Sequence, residues 1–149
     1  MLHIALAVSG RLVPRMGTDR QIVQAAGAPP AIGPYSHAVL VDLRSAGSLL
    51  FCSGQIPLDP ATGELVGTTP AEQAHRCLEN LRAVCDEAGA SLERAARVTV
   101  YMTDLQAFAE VNEVYASFFG EEPPARVTVG VAQLPKGAQV EIDAIVPLG

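Results

Sequence analysis

The sequence predicts an α+β domain, in which a mixed six-stranded β-sheet carries two helices packed on one face. The chain has 149 residues, which is the length of a single domain. Hydrophobic residues make up 49% of it and charged residues 17%, a composition that excludes a disordered chain. Segments of alternating apolar residues are interspersed with two segments of helical periodicity, and this order indicates the α+β class.

The first strands are predicted to form a hairpin. His37–Leu43 and Leu49–Ser53 are rich in valine, leucine and phenylalanine. A short Ser-Ala-Gly-Ser turn joins them, as in a tight hairpin connection. Ile22–Ala25 precedes them as a candidate edge strand, which completes the six.

Pro70–Ala88 is predicted to form an amphipathic helix. Thr69 precedes it as an N-cap, and Glu72 three residues later completes the capping-box pattern. A proline in the first turn and Gly89 just past the end mark the two termini. Apolar residues recur at intervals of three and four and share one face: Ala74, Cys77, Leu78, Leu81, Val84, Cys85 and Ala88.

The next two elements are a strand and a second helix. In Ala96–Thr103, valine and methionine alternate with threonine and tyrosine, which is the period of a strand. The second helix is predicted from Leu105 to Phe119. One of its faces carries Phe108, Val111, Asn112, Tyr115, Phe118 and Phe119.

Two further strands, Arg126–Val131 and Val140–Val146, complete the predicted sheet. One face of this pair is predicted to be apolar, with Val127, Val129, Val131, Val140, Ile142, Ala144 and Val146. The other face is half polar, with Arg126, Thr128, Gly130, Glu141, Asp143 and Ile145. Because that face also carries apolar side chains, we expect it to be buried against another subunit of an oligomer.

The charge balance and the cysteines limit the partners and the compartment. Ten basic and sixteen acidic residues give a net charge of −6, which disfavours nucleic acid and anionic membranes as partners. Cys52, Cys77 and Cys85 are an odd number without a CxxC pair. They are predicted to be buried, reduced thiols of a cytoplasmic protein.

No metal or cofactor is predicted from the motifs. His3, His37 and His75 are far apart in the sequence, and no HxH, HExxH or CxxC spacing occurs. No GxGxxG or P-loop pattern follows a predicted strand, and no GxSxG elbow marks a hydrolase nucleophile.

Residues 1–15 are excluded from the fold argument. The apolar run Ile4–Val8 is too short to span a membrane, and no basic region precedes it. The tetrapeptide from Leu12 to Arg15 resembles a thrombin cleavage site and stands directly before Met16. We interpret 1–15 as an added or mis-assigned leader, or as a native tail without its own function, and 16–149 as the single domain.

Two charged residues occupy strand positions where an apolar side chain would be easier to bury. The guanidinium of Arg126 is costly on a buried face unless it is paired, and its fork suits a carboxylate ligand. Glu141 stands between Val140 and Ile142, where it could orient or deprotonate a water. The alternative is that Arg126 and Glu141 only pair, with each other or with other side chains, and stabilise an interface.

Other polar and aromatic residues are weaker candidates. Asn112 lies on the apolar stripe of the second helix, where a buried amide usually satisfies backbone groups. Tyr35 follows a Gly-Pro pair in a loop, and it either closes over a pocket or is a surface aromatic. Ser53-Gly54-Gln55 ends a strand with residues that can expose backbone donors and acceptors. Asp143 is predicted to be structural or solvated.

A set of short segments, which includes Asn112, is similar to one known family. The segments are Ile32–Ser36, Ser53–Pro57, Asp104–Phe119, Pro124–Arg126, Leu134–Lys136 and Val140–Ile142. Together they resemble the Rid family of reactive-intermediate deaminases, also called the YjgF type, over nearly the whole chain from Ile22 to Val146. The Arg126 segment followed by the Glu141 segment at this spacing is the most specific part of the resemblance.

The resemblance implies a chorismate-mutase-like fold and a homotrimer, in which the sheets form an inner barrel and ligand pockets lie between subunits. It implies hydrolytic deamination of enamine and imine intermediates such as 2-aminoacrylate to 2-oxo acids and ammonia, without a cofactor. Arg126 would bind the substrate carboxylate, and Glu141 would activate the attacking water. The pocket would be lined by Tyr35, Ser53, Gly54, Asn112 and Thr128.

Thr128 stands where many relatives of that family carry a cysteine. The threonine removes thiol chemistry at this point but leaves the backbone carbonyl available for a contact.

Two other functions compete with an enzyme of the imine deaminase type. One is a non-catalytic trimer that binds small 2-oxo acids or other carboxylates as a sensor or chaperone. The other is ribonuclease activity, which has been attached to relatives of this type. The net charge of −6 and the single lysine, Lys136, argue against nucleic-acid binding.

Overall fold

The structure, a computed structural model, describes residues 20–149, so the predicted leader at 1–15 lies outside the described residues. Their helices and strands follow in the order β1 (Arg20–Val23), β2 (Ala38–Asp42), β3 (Ser48–Gln55), α1 (Pro70–Glu87), β4 (Arg97–Met102), α2 (Phe108–Phe119), β5 (Ala125–Gly130) and β6 (Val140–Leu148). This order of strands and helices is the predicted one.

The strands form one mixed sheet in the order β1-β2-β3-β6-β4-β5. Neighbouring strands are antiparallel except β4 and β5, which are parallel. The chain passes from β4 to β5 through α2, which is the kind of crossover that a parallel pair requires. The predicted hairpin is the β2–β3 pair, and the candidate edge strand is β1, which begins at Arg20 rather than at Ile22.

α1 begins at the predicted residue and ends at Glu87, one residue before the predicted end. The Thr69 side chain accepts a hydrogen bond of 3.2 Å from the backbone N–H of Glu72, and the Glu72 carboxylate accepts one of 3.2 Å from the backbone N–H of Thr69. This predicted capping box satisfies donors that the first helical turn cannot pair internally. The buried face of α1, which includes Leu78 and Leu81, packs on β3, β6 and α2.

The second helix begins later than predicted. Leu105–Ala107 form a 3₁₀ turn, and α2 proper begins at Phe108. The carboxylate of Asp104 accepts a hydrogen bond of 2.9 Å from the backbone N–H of Gln106, so the cap serves the 3₁₀ turn and not an α-helix. The predicted apolar face is also only partly buried, since Phe108 is 39% exposed.

Both helices cover the same face of the sheet, which we call the helix-covered face. Val98, Val100 and Ile142 lie on it and are almost completely buried in one cluster with Leu78 and Leu81 of α1. Burial of these aliphatic side chains supplies most of the driving force for folding.

The opposite face of the sheet, which we call the outer face, carries no helix of the described residues. Phe51 on β3 is 42% exposed there, and Val127 and Val129 on β5 are 38% and 37% exposed. Large apolar side chains clustered on one open face are unusual for a monomer.

β5 presents its side chains to the opposite faces from those predicted. Arg126 and Thr128 pair with valines of β4 that are buried beneath the helices. Paired residues of neighbouring strands share a face, so Arg126 and Thr128 lie on the helix-covered face and the two valines of β5 lie outside. The prediction that Arg126 shares a face with Glu141 is therefore wrong, because alternation groups residues by face without showing which face the core covers.

Two further features of the described residues are the state of the cysteines and the length of the helices. Cys52, Cys77 and Cys85 are free and buried, as predicted. Neither helix within residues 20–149 is long and apolar enough to cross a bilayer.

Candidate active site

Arg126 lies on the edge strand of the sheet and is held by a neutral partner on a helix. Its Nη1 donates a hydrogen bond of 2.7 Å to Oδ1 of Asn112 on α2. The Asn112 amide thus orients the guanidinium of Arg126. The sequence analysis instead favours a hydrogen bond from this amide to backbone groups. Because one amide oxygen occupies only one of the guanidinium N–H groups, the other donors of the fork remain for a ligand.

Two aromatic rings flank the same guanidinium. The Cζ atom of Arg126 lies 4.6 Å from the ring centroid of Tyr115 and 5.5 Å from that of Phe108. Cation–π contacts stabilise a guanidinium but do not cancel its charge. No carboxylate within residues 20–149 forms an ion pair with Arg126, so its positive charge is available to an anion.

The guanidinium borders an open pocket of about 580 Å³. The walls come from α2, from the loop that leads to β5 and from β5 itself: Asn112, Tyr115, Ala116, Phe119, Gly120, Pro123, Pro124 and Arg126. Gly120 ends the helix with φ of +60°, a backbone conformation that glycine adopts without strain. One cation in a mostly apolar wall suits a small organic acid.

Two buried hydroxyls on this side of the sheet have no hydrogen-bond partner among the described residues. They are Oη of Tyr115, which lines the pocket, and Oγ1 of Thr128, two residues beyond Arg126 on β5. Burial raises the pKa of Tyr115, while the charge of Arg126 acts in the opposite direction. Because buried hydroxyls nearly always have a partner, these two are available to a ligand or to water.

Glu141 lies on the outer face, and its carboxyl group packs directly against the backbone of Gly54. A Cβ atom at position 54 would overlap with Oε1 of Glu141 and lie 3.1 Å from its Cδ. β3 carries a bulge between Cys52 and Gln55 at this point, which brings the glycine beneath the carboxyl group. Burial raises the pKa of Glu141, and the negative charge of Asp143 raises it further.

Ser53 fixes the loop that carries Tyr35. Its Oγ donates a hydrogen bond of 2.6 Å to the backbone carbonyl of Ser36, and its N–H donates one of 2.9 Å to the carbonyl of His37. The Tyr35 hydroxyl accepts a hydrogen bond of 3.2 Å from the N–H of Ile32, and the residue is 42% exposed. In the single chain, this ring therefore folds back on its own loop and does not line the pocket beside Arg126.

The predicted site residues, together with the rings of Tyr115 and Phe108, fall into two groups that the sheet separates. The Arg126 group lies on the helix-covered side and comprises Arg126, Asn112, Tyr115, Phe108 and Thr128. The Glu141 group lies on the outer side and comprises Glu141, Gly54 and Ser53, and Ser53 holds the loop that carries Tyr35. The sheet separates the two groups, so one protomer does not bring the guanidinium and the carboxyl group to the same ligand.

Two members of the Arg126 group are missed by the sequence analysis, which treats them only as part of an apolar stripe. Phe108 and Tyr115 stand four residues before and three residues after Asn112. Those spacings place all three side chains on the same face of a helix. The helical spacing could therefore have predicted that a side chain in contact with Asn112 would also contact the rings of Phe108 and Tyr115.

No three side chains of histidine, cysteine, aspartate or glutamate within residues 20–149 come together in a way that could hold a metal ion.

Comparisons with known proteins agree on one family. Residues 25–148 match the family model described as Endoribonuclease L-PSP. Protein DfrA of Myxococcus xanthus is 52% identical over 126 residues, which cover 85% of this chain and 94% of that protein. The 2-iminobutanoate/2-iminopropanoate deaminase of Bos taurus is 43% identical over 130 residues, which cover 87% and 91% of the two chains. The crystal structure of E. coli TdcF with bound serine is 44% identical, with a TM-score of 0.77, over 86% of this chain and 98% of that one.

Proposed function

This chain belongs to the Rid (YjgF/RidA/RutC) family, and from that premise we propose that it hydrolyses small, reactive imino acids to 2-oxo acids and ammonia. One observation carries the proposal. The Arg126 guanidinium borders an open pocket and is held by an amide and two rings, with no carboxylate of the described residues to neutralise it. A cation so placed selects an anionic ligand.

In the proposed complex, the substrate carboxylate binds the free N–H groups of the Arg126 fork. Asn112 holds the fork in one orientation, and the rings of Tyr115 and Phe108 hold its plane. The buried Tyr115 hydroxyl supplies a further donor for the acid. Thr128 lies on the same face and offers its orphaned hydroxyl or its backbone carbonyl. The imine carbon next to the carboxylate is thereby fixed in position for attack.

The proposed chemistry needs one water molecule and one carboxyl group. Glu141 takes a proton from water as the oxygen attacks the C=N carbon, which gives a tetrahedral carbinolamine. The same carboxyl group returns that proton to nitrogen. It then transfers the hydroxyl proton of the carbinolamine to nitrogen as the C=O bond forms and the C–N bond breaks, which releases ammonia and leaves a 2-oxo acid. The imine is already electrophilic, so this acid–base help suffices, and we propose that no cofactor takes part.

The complete site is proposed to form between two protomers of a homotrimer. Because the Arg126 group and the Glu141 group lie on opposite faces of one sheet, the first group of one protomer would meet the second group of its neighbour. Tyr35 and Ser53 would then border the same cleft. Association through the outer face would also remove Phe51, Val127 and Val129 from water, with the three sheets enclosing an inner barrel.

The names of two relatives support the proposed substrate class. The bovine protein is named for the deamination of 2-iminobutanoate and 2-iminopropanoate, and the TdcF structure holds serine, a small amino acid with a free carboxylate. All three molecules present a carboxylate beside a carbon that bears nitrogen, which is the pattern that the proposed Arg126 clamp would recognise. The compartment proposed for this reaction is the cytoplasm.

The experiment that tests the proposal is a coupled assay with freshly generated imine. A serine or threonine dehydratase releases 2-aminoacrylate or its homologue, and formation of the 2-oxo acid is followed by absorbance. Wild-type protein should accelerate this step, and Arg126→Ala should abolish the acceleration. Arg94→Ala, at an exposed position on the turn before β4, is the matched control and should behave like the wild type. An unchanged rate over a wide range of wild-type concentration would contradict the proposal.

A non-catalytic binder of 2-oxo acids is the second candidate, because the Arg126 group forms an anion site without the help of Glu141. Glu141→Gln separates the two functions. In an enzyme, this variant should lose turnover and keep its affinity for pyruvate, whereas a binder has no turnover to lose.

The family model is described by a ribonuclease activity, but this chain is a poor candidate for a nucleic-acid enzyme. Its net charge of −6 and its single lysine do not supply a surface for a phosphate backbone.

A further inference from the structure

Beside Glu141 on the outer face, two side chains of the β4–β6 pair are joined by a hydrogen bond. Glu141 lies directly opposite Tyr101 in the ladder, and Asp143 lies opposite Thr99. The Tyr101 hydroxyl donates a hydrogen bond of 3.0 Å to Oδ2 of Asp143. Tyr101 on β4 therefore bonds the residue diagonal to it and not Glu141, its direct partner in the ladder. This bond links the Asp143 side chain on β6 to β4.

This hydrogen bond fixes a negative charge near Glu141. Asp143 follows Glu141 by two residues, so the two side chains share a face, with their Cα atoms about 7 Å apart. The hydrogen bond from Tyr101 holds the Asp143 carboxylate in one orientation beside Glu141. The pKa of Tyr101 is raised, first by burial and then by its bond to Asp143, so this hydroxyl keeps its proton and remains a donor.

Within one protomer, no other charged group of the described residues raises the pKa of Glu141. On β3 its neighbours are the uncharged bulge residues, and on β4 they are Tyr101 and a threonine. Through the sheet, the buried thiol of Cys77 on α1 faces it, and the pKa of that thiol is raised by burial and then by Glu141 itself. Arg97 pairs with Ile145, farther along the strand. Asp143 is the charge that accompanies burial in raising the pKa of Glu141.

We propose that Asp143, held in place by Tyr101, is a positioning residue that acts on the reaction through Glu141, by making that carboxyl group a stronger proton acceptor. The inference rests on the proposed function, in which Glu141 takes a proton from water and returns it to nitrogen. A carboxyl group with the usual pKa of a glutamate is a weak proton acceptor near neutral pH. A fixed negative charge beside it raises that pKa and makes the carboxylate a stronger proton acceptor. Asp143 touches neither water nor substrate in this scheme.

The pH dependence of kcat/KM tests the inference. Removing the charge lowers the pKa of Glu141, so the acid limb of Asp143→Asn should move to lower pH. At a given pH on that limb, kcat/KM is divided by its plateau value for each protein. This ratio should be about threefold higher for Asp143→Asn than for the wild type. Asp143→Glu keeps the charge and should restore the wild-type limb. Asp86→Asn, at an exposed position on α1, is the matched control for loss of one carboxylate and should leave the limb in place.

Two outcomes of this experiment would overturn the inference. In one, the limbs of Asp143→Asn and the wild type coincide. In the other, Asp143→Glu changes the limb as much as Asp143→Asn does, which would indicate a packing role. If Asp143→Asn does not fold by circular dichroism, Tyr101→Phe takes its place, because it releases the same carboxylate from its fixed position beside Glu141. Its limb should move in the same direction by a smaller amount, and an unmoved limb counts against the inference.

A direct titration separates this inference from the proposed function. Glutamate labelled with carbon-13 at the side-chain carboxyl group allows Glu141 to be followed by NMR, with its signal assigned by Glu141→Gln. Its midpoint should fall in Asp143→Asn, whether or not the protein turns over imine. A shifted midpoint in a protein without turnover contradicts the proposed function alone. An unshifted midpoint overturns the inference even if turnover is present.

Discussion

At the scale of single residues, the partners of Arg126 decide what the guanidinium can bind. An amide and two rings orient it and leave its charge intact. A carboxylate at the position of Asn112 would give the same geometry but would neutralise the cation. The neutral partner is therefore what makes this arginine a candidate anion site and not one half of a structural ion pair.

Asn112→Asp tests this point with almost no change of shape. The new carboxylate would pair with Arg126 and compete with the ligand, so the Kd for pyruvate should rise at least about tenfold at neutral pH. Isothermal titration calorimetry measures the change. Glu79→Gln, which removes the half-buried partner of Arg82 on α1, is a control for altered charge elsewhere and should leave the Kd unchanged. Equal affinity of Asn112→Asp and the wild type would contradict ligand binding at Arg126.

Gly54→Ala tests the seat of Glu141. The added methyl group would occupy the space of the Glu141 carboxyl group and push it away from its present position. We expect kcat to fall about 10- to 100-fold, since small displacements of a reacting group have costs of this order. The Kd for pyruvate, set mainly by Arg126, should change much less. Steady-state kinetics and calorimetry on the same samples measure the two effects.

Gly27→Ala is the control for the glycine substitution, because a methyl group there meets only the Cβ of Ala83 at 3.4 Å. It should leave kcat unchanged. If Gly54→Ala were as active as this control, the carboxyl group would not need its glycine seat.

At the scale of elements, α1 owes its start to the capping box. Thr69→Ala removes the side-chain acceptor for the N–H of Glu72, so the free energy of unfolding should fall by about 1 kcal/mol. Urea denaturation with a constant m-value measures this loss. Thr103→Ala, at an exposed position after β4, should cost much less. Equal losses for the two variants would show that the cap contributes nothing beyond a surface threonine.

The elements also show how far local patterns can be trusted. The capping box, the hairpin and the strand alternation depend on residues that are close in sequence, so their positions are predicted to within a few residues. The start of α2 is predicted wrongly because Asp104 caps a 3₁₀ turn, and the periodicity of the following residues does not distinguish the two kinds of turn. The faces of β5 are predicted wrongly because its valines resemble core residues.

At the scale of the whole molecule, the exposed apolar outer face and the separation of the Arg126 and Glu141 groups both lead us to expect an oligomer with sites shared between protomers. Phe51→Asp places a charge on the exposed apolar face of β3 and should convert the proposed trimer into a monomer. Light scattering coupled to size-exclusion chromatography measures the mass, and the coupled assay should then show no turnover. Leu65→Asp, an exposed leucine in the loop after β3, is the control and should retain both trimer and activity. A fully active monomer would contradict a site shared between protomers.

The sequence by itself determined the order of the elements, the buried thiols, the family resemblance and the residue types of the proposed anion clamp and proton acceptor. These features follow from composition, periodicity and short motifs, in which each residue is judged against its near neighbours. Only the tertiary structure decided that Arg126 and Glu141 lie on opposite sides of the sheet. The reason is that the parallel pairing of β5 with β4 and the position of α2 select the covered face, and both depend on contacts between distant parts of the chain.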